Sequence, residues 1–284
     1  MSTLALLALL AAGGGDTLLV SPGWLAERLG TPGIVVLHAG SWTEFREGHI
    51  PGARLAHVMS FHAHEGGGFP PAEGMRAALE EEGVSDGSRI VVVGDGMFPA
   101  IVYVALEYLG LGSRASILDG GLPAWRAAGH PVATDDPPSP TSRGRITASV
   151  RTDVQVDAAW LTARLNRPEI AVLDARSPGE YQGSADEDIP RKGHIPGARL
   201  LQWTDVSDST TGAFRPPEQL RQLFASRGVE PGDTVVTYCT VGMRASHLYF
   251  AARLLGLPAR IYVGSMNDWS RRAELPVLRG RNPE

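Results

Sequence analysis

The chain has one cysteine, Cys239, in 284 residues, and that scarcity excludes an internal disulfide. No set of cysteines and histidines has the spacing of a structural zinc site either, so the fold rests on its apolar core and Cys239 is free to react. Long apolar runs are also missing. The one candidate, residues 4–12, falls short of the roughly 20 residues needed to cross a bilayer. Followed by Gly13, Gly14 and Gly15 it has the look of a signal-peptide core, but no Lys or Arg precedes it. Residues 1–15 are therefore set apart as a signal-like segment: a cytoplasmic location is expected, with export the alternative if they are cleaved. A strong charge of one sign is absent too. The net charge is −5, with no long basic run and no basic segment rich in aromatics, which argues against nucleic acid and stable membrane association. Small molecules or proteins are the expected partners.

What the chain does have is a repeat. Gly48-His49-Ile50-Pro51-Gly52-Ala53-Arg54-Leu55 recurs without change as Gly193-His194-Ile195-Pro196-Gly197-Ala198-Arg199-Leu200, 145 positions on. Upstream, Val20 and Trp24 answer Val156 and Trp160 at 136 positions, so the second copy carries nine extra residues, placed at 184–192. Downstream, Trp125 answers Trp269 at 144 positions. The chain is a tandem duplication.

Each copy alternates short apolar runs with helical patterns, the order that builds a mainly parallel sheet flanked by helices on both faces, an α/β fold. Residues 24–29 read as a helix capped by Ser21, and 34–37 as a buried strand; Asp157 is the matching cap in the second copy. Strands are expected to begin at Arg89 and Asp233, with helices over 101–109 and 245–255. Residues 134–150, rich in Pro, Ser, Thr and Asp, read as a surface linker between domains at 16–133 and 151–279.

Cys239 ends an apolar strand, in a turn of Thr240, Val241, Gly242, Met243 and Arg244 that opens a helix. Inward backbone N–H groups, the positive helix end and the Arg244 cation would stabilise a thiolate there, and Gly242 allows a tight cradle. A free cysteine is as readily a small buried hydrophobe. The repeat serves as an internal control: an offset of 144 sets Asp95 opposite Cys239, and a carboxylate cannot carry sulfur. One reactive copy and one silent copy are expected.

These residues resemble the tandem-domain rhodaneses, the thiosulfate and 3-mercaptopyruvate sulfurtransferases. The resemblance runs from about Leu18 to Leu278 and includes both Gly-His-Ile-Pro-Gly-Ala motifs, Asp174-Ala175-Arg176 and the Cys239 loop. It implies two rhodanese-like domains, the first silent. It further implies that Cys239 takes a sulfane sulfur from a donor as a persulfide and passes it to cyanide or a thiol, in ping-pong fashion. No metal or organic cofactor is implied, and a monomer is expected. The Cys-x-x-Gly-x-Arg loop points to thiosulfate as donor; 3-mercaptopyruvate, or a persulfide carrier serving a protein partner, are the alternatives. Animal enzymes have an arginine where Glu180 stands here, which leaves Arg176 and Arg244 as the cations for an anionic donor. Phosphatases of related fold use Cys-x5-Arg, one residue longer than the loop here.

Other candidates read as scaffold. His49 and His194 occur in both copies, so each ring is expected to hold its loop by hydrogen bonding, His194 in support of the reactive site. Asp174 and Arg176, which have no counterpart in copy one, either brace the loop as an ion pair or touch substrate. His57, His62 and His64 read as solvated loop residues, and Trp125 and Trp269 as core anchors. The resemblance places Ser265 and Asn267 at the cleft. Gly96, Met97 and Phe98 are expected to wall it from the silent domain.

Overall fold

The computed structural model describes residues 17–62, 68–137 and 139–283; the signal-like segment 1–15 and His64 lie outside them. In the first copy the order is β1 (Leu19–Val20), α1 (Pro22–Ala26), β2 (Ile34–Gly40), α2 (Trp42–Glu47), β3 (Arg54–His57), α3 (Ala72–Glu81), β4 (Arg89–Val93), α4 (Phe98–Tyr108), β5 (Ala115–Leu118) and α5 (Gly121–Ala127). The second copy repeats it as β6 (Gln155–Val156), α6 (Ala158–Thr162), β7 (Ile170–Asp174), α7 (Pro178–Gln182), β8 (Arg199–Leu200), α8 (Pro217–Ala225), β9 (Thr234–Tyr238), α9 (Met243–Leu254), β10 (Ala259–Tyr262) and α10 (Ser265–Trp269). The strands form two five-stranded parallel sheets, ordered β1-β5-β4-β2-β3 and β6-β10-β9-β7-β8. Covered on both faces by helices, the central strands are apolar runs rather than alternating ones.

Local chemistry sets the element ends. Ser21 and Asp157 accept the backbone N–H of Trp24 and Trp160, as N-caps do. The first helix ends at Ala26, earlier than expected, because Arg28 N–H closes on Leu25 in the tighter three-residue pattern. His57 and His62 are also not solvated loop residues: His57 ends β3 opposite Gly40, and His62 is buried.

Strand register corrects the alignment of the copies. Ile34 pairs with Arg89, and its counterpart Ile170 pairs with Thr234, so the strands bearing the site are 145 positions apart. Gly94, not Asp95, therefore occupies the place of Cys239. A Cβ at Gly94 would collide with the Ala39 carbonyl, so the first copy has no room there for any side chain. The apolar runs around Val91 and Val235 offer no landmark against a one-residue slip; the neighbouring strand decides it.

The two halves share a core. α4 packs on α9, Tyr103 meets the Phe250 ring edge-on at 4.7 Å, and one buried cluster runs from Val92 and Leu106 to Cys239 and Leu248. Each large apolar side chain buried there is worth about 1.5–3 kcal/mol. Within this interface the nearly inaccessible Glu107 carboxylate lies 3.1 Å from Arg151 and 3.2 Å from Arg253. The segment between the sheets runs along the first: Ile146 is buried, and Thr147 and Ala148 donate backbone N–H groups to Asp86. Among the described residues no helix is long and apolar enough to cross a membrane.

Candidate active site

Cys239 follows the last residue of β9 and is 1% exposed. Its Sγ accepts the Gly242 N–H at 3.0 Å. That contact requires the chain to turn back sharply, and Gly242 does so at φ +95°, where a Cβ would lie 2.9 Å from the Val263 carbonyl. α9 starts at the next residue, so its N-terminal dipole end faces the sulfur. The turn is pinned from α10: Met266 and Asn267 N–H bond the carbonyls of Cys239 and Thr240, and Ser265 Oγ accepts the Cys239 N–H. Val241 is half-buried, and Met243 packs against the shared core.

The cations are not open. Arg244 makes a two-pronged pair with Glu180, at 2.8 and 2.6 Å, and also donates to Thr240 Oγ1. Burial alone would raise the Glu180 carboxyl. Hydrogen bonds from Arg244 and Ser177 outweigh it and hold that carboxyl well below the usual carboxylate range. Arg176 is wholly buried and gives its donors to Asp174, Glu187 and the Gly193 carbonyl. It therefore stands as a brace between β7, the inserted segment and the repeated motif, not as a cation facing a cleft, which corrects the expectation of an arginine left for substrate. Asp174, equally buried, is filled by the Arg176 N–H and guanidinium.

Glu187, which the sequence reading passed over, comes from the extra segment of the second copy. It lies 3.2 Å from Arg176 and 3.3 Å from Thr240 Oγ1. Burial raises its carboxyl and the nearby Glu180 adds to this, against the pull of Arg176. An insertion confined to the second copy was the signal available for it. Arg191 of the same segment donates to four carbonyls, those of Trp269, Ser270, Arg272 and Leu275, tying the insertion to the end of the domain.

His194 stacks on Tyr181 at 3.8 Å, and its ring nitrogens face the carbonyls of Tyr181 and Asn282. His49 stacks on Phe45 in the same way in the first copy. Trp125 and Trp269 are buried, each donating its indole N–H to a proline carbonyl. From the first copy, Met97 and Phe98 pack against the core cluster that includes Cys239. Gly96 instead lines a cavity of about 230 Å³ with Asp95, Phe214 and His247, and Cys239 is not in its wall. Among the described residues no group of His, Cys, Asp or Glu is arranged to hold a metal ion.

A buried thiol in a glycine-turned amide loop at a helix N-terminus, within two copies of one parallel sheet, defines a class. The chain belongs to the rhodanese-like domain family, whose profile matches residues 21–128 and 157–272. More particularly, it is similar to a probable 3-mercaptopyruvate sulfurtransferase of Pseudomonas aeruginosa, 36% identical over 90% of this chain and 96% of that protein. It is also similar to a thiosulfate sulfurtransferase of Azotobacter vinelandii, 30% identical over 92% of this chain and 96% of that one. Among solved structures it resembles wild-type EanB, with a TM-score of 0.81 and 26% identity over 93% of this chain and 69% of that chain.

Proposed function

We propose that this protein is a sulfurtransferase that works through a persulfide on Cys239. The carrying observation is the Gly242 N–H directed at Sγ from the start of α9, a donor that can follow negative charge from thiolate to persulfide. With thiosulfate as donor, the thiolate attacks the sulfane sulfur and its S–S bond breaks, releasing sulfite and leaving Cys239–S–S⁻. An acceptor then attacks the outer sulfur; cyanide leaves as thiocyanate, a thiolate leaves as a persulfide, and the Cys239 thiolate returns. Each step breaks one S–S bond and forms one new bond to the transferred sulfur, S–S with a thiol and C–S with cyanide, and no external oxidant or cofactor enters. Arg244, Thr240, Val241 and Met243 form the loop around the reacting sulfur; Asp174, Arg176 and His194 position it.

Thiosulfate is the first donor, on the Cys-x-x-Gly-x-Arg loop. A second reading, 3-mercaptopyruvate, is favoured by the pairing of Arg244 with Glu180, because a neutralised cation suits a donor with one carboxylate better than a dianion. Incubation of the full chain with thiosulfate and intact-mass measurement tests the chemistry. A gain of one sulfur in wild type and none in Cys239→Ser is expected; no gain from either donor sinks the proposal. Steady-state rates with both donors, using cyanide and a dithiol as acceptors, then assign the donor.

A further inference from the structure

Away from Cys239, the two copies differ sharply in charge at one place. In the second copy Arg199, Arg227 and Arg281 meet Tyr181, Gln182 and Ser226 around an open depression of about 520 Å³, and no carboxylate is among the described residues that line it. Arg227 donates to the Leu200 carbonyl and to Ser226. None of the three arginines has a carboxylate partner among the described residues.

The first copy shows what the same place looks like when its charge is balanced. Strand pairing matches Arg199 to Arg54, and the equivalent glycines after α3 and α8, Gly83 and Gly228, match Arg227 to Glu82 and Ser226 to Glu81. The bridges His49–Ala133 and His194–Leu278 match Arg281 to Asp136. In the first copy Arg54 bonds the Glu82 carbonyl, Glu81 pairs with Arg143, and Asp136 pairs with Arg46, whose counterpart is Gln182. Over these five positions the formal charge is −1 in the first copy and +3 in the second. The first copy builds the same order of elements without them, so the fold does not demand the arginines. Three guanidinium groups around one hollow, with no carboxylate partner among the described residues, repel each other unless an anion joins them, and their planar donor forks suit a phosphate-type oxyanion.

We propose that this depression is a binding site for a small multivalent oxyanion of the phosphate class, separate from the Cys239 site. The test is calorimetric titration of the full chain with inorganic pyrophosphate at roughly 50 mM salt, where such contacts are weakly screened. Saturable one-to-one binding is expected, weakened about tenfold or more by Arg227→Glu and by Arg281→Asp, each of which installs the first copy's residue. Arg281 makes no side-chain hydrogen bond among the described residues, so its variant carries the test if Arg227→Glu fails to fold. Sulfur loading of Cys239 should be unchanged in both, and Arg46→Glu, the same kind of charge change on the other copy, should bind like wild type. Absence of saturable binding up to millimolar pyrophosphate overturns the proposal. So does equal weakening by Arg46→Glu, or tighter binding of an acidic peptide than of pyrophosphate.

Discussion

The Cys239 N–H donates to the Ser265 hydroxyl at 3.0 Å, and Ser265 holds a left-handed backbone at φ +52° where the first copy has Gly121 at φ +59°. A left-handed turn costs an ordinary residue roughly 1 kcal/mol. The second copy bears that strain and gains a hydroxyl that accepts the Cys239 amide while donating to the Tyr262 carbonyl. Ser265→Gly should thus melt close to wild type, since relief of strain offsets the lost bond. Ser265→Ala keeps the strain and should lose about 1–2 kcal/mol. Both should lower kcat/KM for sulfur transfer by roughly tenfold, as a loosened cysteine turn would. Wild-type kinetics in Ser265→Ala would show that the contact does nothing for the sulfur.

Arg176 is predicted to act on stability, not on donor affinity. Arg176→Lys cannot span Asp174, Glu187 and the Gly193 carbonyl together, and a partly unpaired buried carboxylate costs about 2–4 kcal/mol. Urea unfolding should show that loss, while the donor KM stays within about twofold wherever the protein is folded. A large rise in KM at unchanged stability would give Arg176 a substrate role instead.

Glu180 should govern the choice of donor. In Glu180→Gln the Arg244 guanidinium is no longer neutralised, so the KM for dianionic thiosulfate should fall about three- to tenfold, and that for 3-mercaptopyruvate less. The pH dependence follows from the lowered carboxyl: stability from the ion pair is present above the ordinary carboxylate range and is lost as pH falls through the folded value. Denaturation below pH ~4 should be flatter in Glu180→Gln than in wild type. Equal acid limbs, or an unchanged thiosulfate KM, would count against the pairing.

Two histidines should make the fold sensitive to mild acid. Burial lowers His247 to about 3, and burial together with His49 lowers His38 to about 4. The unfolded chain protonates both near the ordinary value of 6.5, so between there and the folded values it binds more protons than the native state. Stability therefore rises with pH across that window, by up to ~1.4 kcal/mol per unit for each ring. Urea midpoints from pH 4 to 7 should fall towards acid, and less steeply in His247→Gln; parallel profiles would contradict this.

Much of this protein was determined by the sequence alone. The eight-residue repeat established two copies of one fold, because identical loops must serve identical turns. Apolar runs followed by helical spacing gave the parallel sheets, and the lone thiol before Gly242 marked the turn proposed to be reactive. Only the tertiary structure decided what surrounds that turn. Residue 94 and not 95 stands opposite Cys239, because strand register is set by the neighbouring strand and not along the chain. Arg176 is a buried brace and Glu187 reaches Thr240, because side chains far apart in sequence share one low-dielectric space, where each charge must find a partner. The arginine hollow was likewise invisible until Arg199, Arg227 and Arg281 were brought to one wall.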